Sequence, residues 1–164
     1  MRRLAVAALF AFCLPLAAQA KTYAIPSSDA IATVTLPDSW DADELDDGVE
    51  VTSNDETVYA AIEAVDLLDV KAATIEAMKF FDEKGIKIDA STQKETDFEV
   101  NGMKAFELGW KAKDDDGPTM VSITVIGVSE KKMLMITLWG SEEGQAANLE
   151  GMKKIINSIQ ATKK

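Results

Sequence analysis

Seven carboxylates fall within the thirteen residues 38–50, DSWDADELDDGVE. Calcium takes such hard oxygen donors, so their spacing is the first question. An EF-hand loop starting at Asp41 would have Asp43 at its third position, as required. Leu45 then takes the fifth, Asp46 the sixth, where glycine must turn the chain, and Thr52 the twelfth, where a bidentate Glu belongs. The template fails. A looser cation site from Asp46, Asp47 and Glu50, with Ca²⁺ as its ion, is the only metal expectation, and no other cofactor is expected. Asp114, Asp115 and Asp116 run into Gly117-Pro118 and read as turn residues before they read as ligands.

Other chemistry is thinly supplied. The chain has no histidine, its one cysteine is Cys13, and its two arginines are Arg2 and Arg3. A nucleophilic triad needs a base that titrates near neutrality, and none is present. No Gly-x-Ser-x-Gly elbow surrounds any serine. Zinc and copper sites want imidazole or thiolate. Paired carboxylates remain, because a desolvated one can act as a general acid. Glu63, Asp66 and Glu107 are flanked by apolar residues, yet alternation sets them opposite the apolar stripe, as solvated strand positions. The expectation is a protein that is not an enzyme, with no catalytic residue. Trp40 and Trp139 stand at strand ends, where a shallow apolar cleft between them would contact a ligand or partner.

The N-terminus reads as an address. Arg2 and Arg3 precede an apolar run from Leu4 to Leu16, and Ala18-Gln19-Ala20 is a small-x-small cleavage pattern. The run is shorter than the ~20 residues that span a bilayer. Residues 1–20 are therefore expected to be a signal peptide cleaved after Ala20, leaving 21–164 as one domain in the periplasm or secreted. That segment holds no Cys, His or Arg and no second apolar stretch of spanning length. It needs a packed core in place of disulfides. The whole chain carries 17 Lys+Arg against 28 Asp+Glu, a net −11. Such a surface repels nucleic acid and anionic membrane, and attracts cations or an envelope protein with a basic face.

The elements follow from periodicity. Ala32, Val34 and Leu36 alternate with threonines in a half-buried strand ended by Pro37. The acidic stretch reads as a loop between this strand and one carrying Val49 and Val51. Asn54-Asp55 turns the chain into a strand with Val58, Ala60, Ile62 and Ala64 on one face. A helix runs from an N-cap at Asp69 to a stop at Gly85, with Val70, Ala73, Ala77, Met78 and Phe81 as its stripe. Asn101-Gly102 joins two further strands, the second with Phe106, Leu108, Trp110 and Ala112 on one face. Two long apolar strands after Pro118 are apolar on both faces, as central strands covered on both sides are. Ser141 caps a last helix with Leu149, Met152, Ile156 and Ile159 buried. Met120, Met133 and Met135 are expected to pack under a helix. The fold class is α+β: a mostly antiparallel sheet with helices packed on its faces, an α-β-α sandwich.

In this order, the LPDSW strand exit, the GVEVTS strand, the NGMKAFEL hairpin and the final IINSIQ helix resemble the PsbP/Mog/DcrB superfamily over most of residues 30–160. The resemblance implies that fold, and a binding or scaffolding role rather than catalysis. Its members include a photosystem extrinsic subunit, a Ran-GTPase-binding factor and periplasmic proteins, and an exported chain is most similar to the last. Some members bind metal through histidine, which this chain lacks. No family ligand position can be matched here. The expected function is a non-catalytic periplasmic protein-binding or scaffold module, the alternative being a small-ligand or Ca²⁺-binding protein.

Overall fold

The computed structural model describes residues 20–162. The expected signal segment, residues 1–20, lies outside the described residues except for Ala20. The domain is built from β1 (Lys21–Ile25), β2 (Ala32–Leu36), β3 (Asp41–Glu44), β4 (Gly48–Thr52), β5 (Val58–Asp66), α1 (Val70–Glu83), β6 (Lys87–Ile88), β7 (Lys94–Val100), β8 (Met103–Lys113), β9 (Pro118–Gly127), β10 (Lys132–Ser141), α2 (Glu142–Ala147), α3 (Leu149–Ser158) and β11 (Gln160–Ala161). An eight-stranded sheet runs β3-β4-β5-β10-β9-β8, with β6 and β7 both on the free edge of β8; β1-β2-β11 form a small second sheet. Every ladder is antiparallel.

The large sheet is covered on both faces. Leu134 and Ile136 of β10 point to one side, into a core shared with Val49, Val51 and Ile62, the small sheet (Ile25, Val34, Leu36) and Ile155 and Ile159. Met135 points the other way, to Ala77 and Phe81 of α1, with Trp110, Val121 and Ile123. This is the expected α+β class, with one refinement: α3 shares its face with the small sheet. The α1 stripe is as expected at Ala77 and Phe81. Asp69 holds the N-cap position without a side-chain bond, because a 3-10 turn over Leu67–Asp69 leads into the helix. Met135 is buried, as expected of a strand packed under a helix.

Three expectations are corrected. The acidic stretch is not one loop: within it Asp41–Glu44 forms edge strand β3 against β4, with turns on either side. An edge strand has one row of backbone groups open to water, and charged side chains there keep other chains from pairing with it. β1 has no counterpart in the expected elements; its alternation, with only Tyr23 and Ile25 buried, is too brief to stand out. The last helix is two, broken at Asn148, so Leu149 points to solvent at 45% exposure and the buried positions are Ile155 and Ile159. Ser141 caps α2 as expected, its Oγ accepting from Gly144 N at 3.0 Å.

Asn148 explains the break. Its side-chain amide faces both carboxylate oxygens of Asp55 (3.0 and 3.1 Å), Thr57 Oγ1 (3.1 Å) and Gly144 O (3.0 Å). The β4–β5 turn is thereby clamped to the α2–α3 corner. Elsewhere, Gly48 is required by contact, since a Cβ there would lie 2.0 Å from the Ile62 carbonyl oxygen of the neighbouring strand. Asn101 (φ 50°) and Gly102 (φ 80°) make the left-handed pair of a tight hairpin. Asn101 Nδ2 also donates to Asn157 O and Ile159 O, closing the end of α3.

Trp40 is buried in the α3-side core, and α3 passes so close that a Cβ on Gly151 would stand 3.0 Å from the indole. Trp40→Ala leaves a hole under α3 and is expected to cost about 3–5 kcal/mol in urea unfolding. The clamp has a pH signature. Asp55 is held down to about 2, first by the Ser53 hydroxyl, then by Thr57 and Asn148. A depressed carboxylate stabilises fully above its unfolded value near 4 and loses that as pH falls through its folded value. Asp55→Asn is expected to lower the melting temperature at neutral pH, with the deficit shrinking as the pH falls from about 4 to 2.

Candidate functional site

The strongest concentration of functional side chains is a groove of about 660 Å³ beside α1, over β4 and β5. Register explains its content. Tyr59, Ala61 and Glu63 of β5 stand across from Thr52, Glu50 and Gly48 of β4, so these residues share the α1 face. Asp47 and Glu50 enter from the acidic stretch, Glu63 and Asp66 from β5, Asp69 from the 3-10 turn before α1, and Glu76 from α1. Tyr59 and Phe80 supply an aromatic wall. Tyr59 stacks on Trp139 at 4.3 Å, and Phe80 lies 5.6 Å from Trp139.

The electrostatics are those of crowded acids. Glu63 is half-buried, and its carboxyl titrates above the usual range, first because burial disfavours the anion and then because Asp47, Glu50 and Glu76 repel it. Burial pushes the Tyr59 hydroxyl up as well. It donates to Glu50 Oε2 at 2.7 Å, which keeps it protonated. Lys132 is the basic side chain lining the groove, paired with Asp66 at 2.9 Å. Such a site presents several negative charges on a partly apolar surface. It suits an ammonium group or a lysine-bearing segment, since aromatic faces and carboxylates both attract cations.

The sequence-predicted residues divide. Asp47 and Glu50 come to this groove; Asp46 is exposed and does not line it. Among the described residues no group of three or more His, Cys, Asp or Glu is arranged to hold a metal ion. Trp40 and Trp139 do not share a cleft. Trp40 belongs to the core under α3 and Trp139 to the core under α1, so the sheet separates them. Glu63 is not the solvated strand position expected, because its face of the sheet lies under α1 rather than under water. Glu107 is half-buried on the other face and accepts from Thr124 Oγ1 at 3.1 Å. Asp114 is a turn residue, its Oδ1 accepting from Asp116 N and Gly117 N, each at 3.0 Å. Glu76 and Tyr59 went unrecognised in the sequence. A helix carboxylate and a strand tyrosine give no sign of their convergence until α1 is docked.

No protein-family model and no curated protein matches this chain. Solved structures do. A crystal structure from Bacteroides thetaiotaomicron superposes with a TM-score of 0.60 at 15% identity, covering 89% of this chain, which spans only 50% of that longer one. The two-faced antiparallel sheet with α1 on one side and α3 on the other is a PsbP-like fold. Cyanobacterial PsbP (CyanoP) from Synechocystis is similar to it over 93% of this chain and 98% of its own, at TM-score 0.56 and 11% identity. LpqN, involved in cell envelope biogenesis of Mycobacterium tuberculosis, is similar over 88% and 92%, at 0.55 and 10%. At these identities the likeness establishes the fold and no more. Among the described residues, no helix is long and apolar enough to cross a membrane.

Glu63 offers a direct test of the groove's field. A carboxyl whose folded pKa is raised favours folding while protonated and opposes it once pH rises through the unfolded and then the folded value. Glu63→Gln is expected to raise the melting temperature by a few degrees at neutral pH and to leave it unchanged below about pH 4, as read by calorimetry across pH.

Proposed function

We propose that this chain is a non-catalytic accessory or scaffold module of the cell envelope, holding a partner's basic segment in the α1 groove. The carrying observation is the convergence of Asp47, Glu50, Glu63 and Glu76 on one aromatic-walled groove. Supporting it are the similarity of fold to LpqN and CyanoP, the export pattern ending at Ala20, and a residue set lacking imidazole and thiolate after residue 20. The charge would steer a basic partner and make the association salt-dependent, as exposed charges a Debye length apart are screened.

The reading makes two demands. Fractionation of cells expressing the full chain should recover it outside the cytoplasm with Lys21 as its first residue; retention of residues 1–20 in the cytoplasm would sink the export claim. In chemical cross-linking on intact cells, one basic envelope protein should be recovered with the wild type. It should be lost in Glu50→Gln/Glu63→Gln/Glu76→Gln and retained in Asp114→Asn/Asp115→Asn, which neutralises charge elsewhere. Equal recovery by both variants would remove the groove from the account.

A further inference from the structure

A second groove, of about 740 Å³, lies on the other face of the sheet, between α3 and the β7–β8–β9 half that the helix leaves uncovered. The ladders arrange its floor in rows. Thr96, Glu107, Thr124 and Ile136 stand side by side across four strands; Lys94, Gly109, Ser122 and Leu138 make the next row; Lys111 and Met120 the third. The Glu107 carboxylate therefore occupies one end, the Lys111 ammonium the other, and the Lys94 ammonium the edge of the row between them. Met152 and Ile156 of α3 form an apolar wall along the rows.

Gly109 marks the floor as open space. Its backbone does not require glycine, and an added Cβ would meet nothing nearer than 3.9 Å. The polar groups there have capacity to spare. Among the described residues, Glu107 accepts only the Thr124 hydroxyl through its side chain, and the half-buried Ser122 hydroxyl has no hydrogen-bond partner. The wall is held in place independently of any ligand, since Asn101 Nδ2 donates to Asn157 O (2.9 Å) and Ile159 O (2.7 Å) at the end of α3.

We infer that this groove binds a short, extended, apolar peptide with free termini, its α-ammonium on Glu107 and its carboxylate on Lys94 or Lys111. Two residues along a strand advance about 7 Å, so the opposite charges are about 7–14 Å apart, which matches the span of two to four extended residues. Charge complementarity at both ends sets the direction, and the side chains lie on Leu138, Met152 and Ile156. A volume of this size suits a ligand of that mass and a mostly apolar lining. The inference does not depend on the α1 groove, which lies across the sheet.

Trileucine is a suitable probe, followed by titration calorimetry rather than tryptophan fluorescence, since the Trp110 side chain packs in the α1-side core across the sheet. A saturable heat change is expected with free trileucine, weakened about tenfold by N-acetylation or by Glu107→Gln, as the loss of one charge-assisted contact implies. C-terminal amidation should weaken it similarly. Gly109→Val, which puts a branched side chain on the floor of a strand that tolerates it, should abolish the change with the melting temperature kept. If Gly109→Val unfolds, Ser122→Leu fills the same row. No saturable change at millimolar trileucine would overturn the inference. Equal binding of the capped peptide, or binding unaffected by the filled floor, would overturn it too.

Discussion

The structure depends on β10 being covered on both sides. Its even positions Leu134 and Ile136 are locked into the core under the small sheet and α3, while Met135 and Trp139 are packed toward α1. Because side chains alternate strictly along a strand, one residue of slip would move every apolar group to the wrong core. Both neighbours, β5 and β9, are thus held in register by the same strand. Everything of functional interest lies where that covering stops.

Each face stops differently. On the α1 face the helix covers β8–β10 and the near edge of β5, and the acids of β4 and β5 fall beside it. Glu63 is too close to α1 to be fully hydrated and too near other acids to lose its charge cheaply, which is why its carboxyl titrates high. On the opposite face the small sheet covers β4 and β5, α3 covers β10, and Val100, Ala105 and Ile126 lie buried in the same core. Stretches 94–96, 107–111 and 120–124 of β7–β9 are left open, with mostly Gly, Ser, Thr and charged side chains. The two grooves are the two uncovered halves of one sheet, diagonally opposed. One is predominantly acidic, with Lys132 its basic side chain, and the other bears opposite charges at its ends.

Much of the architecture could be read in the sequence because it is local. The alternation of Val58, Ala60 and Ile62, the Asn101-Gly102 turn and the Ser141 cap each act within a few residues, and each appears as expected. The errors share a cause. Asp41–Glu44 is a strand because β4 offers it partners, against its own poor propensity. The α2–α3 break at Asn148 serves Asp55, ninety-three positions away. Strand and helix patterns carry no record of such partners.

The sequence by itself determined the class of fold, the absence of histidine and of any cysteine or arginine beyond residue 20, and the acidic balance. Composition and period are enough for these, since they need no knowledge of what meets what. Only the tertiary structure decided that Trp40 and Trp139 belong to separate cores, that Asp47 and Glu50 join Glu63 and Glu76 while Asp46 does not, and that Glu107 and Lys111 bound an open floor at Gly109. Those placements follow from strand order and helix docking, which bring together residues whose separation in the chain says nothing about their distance in space.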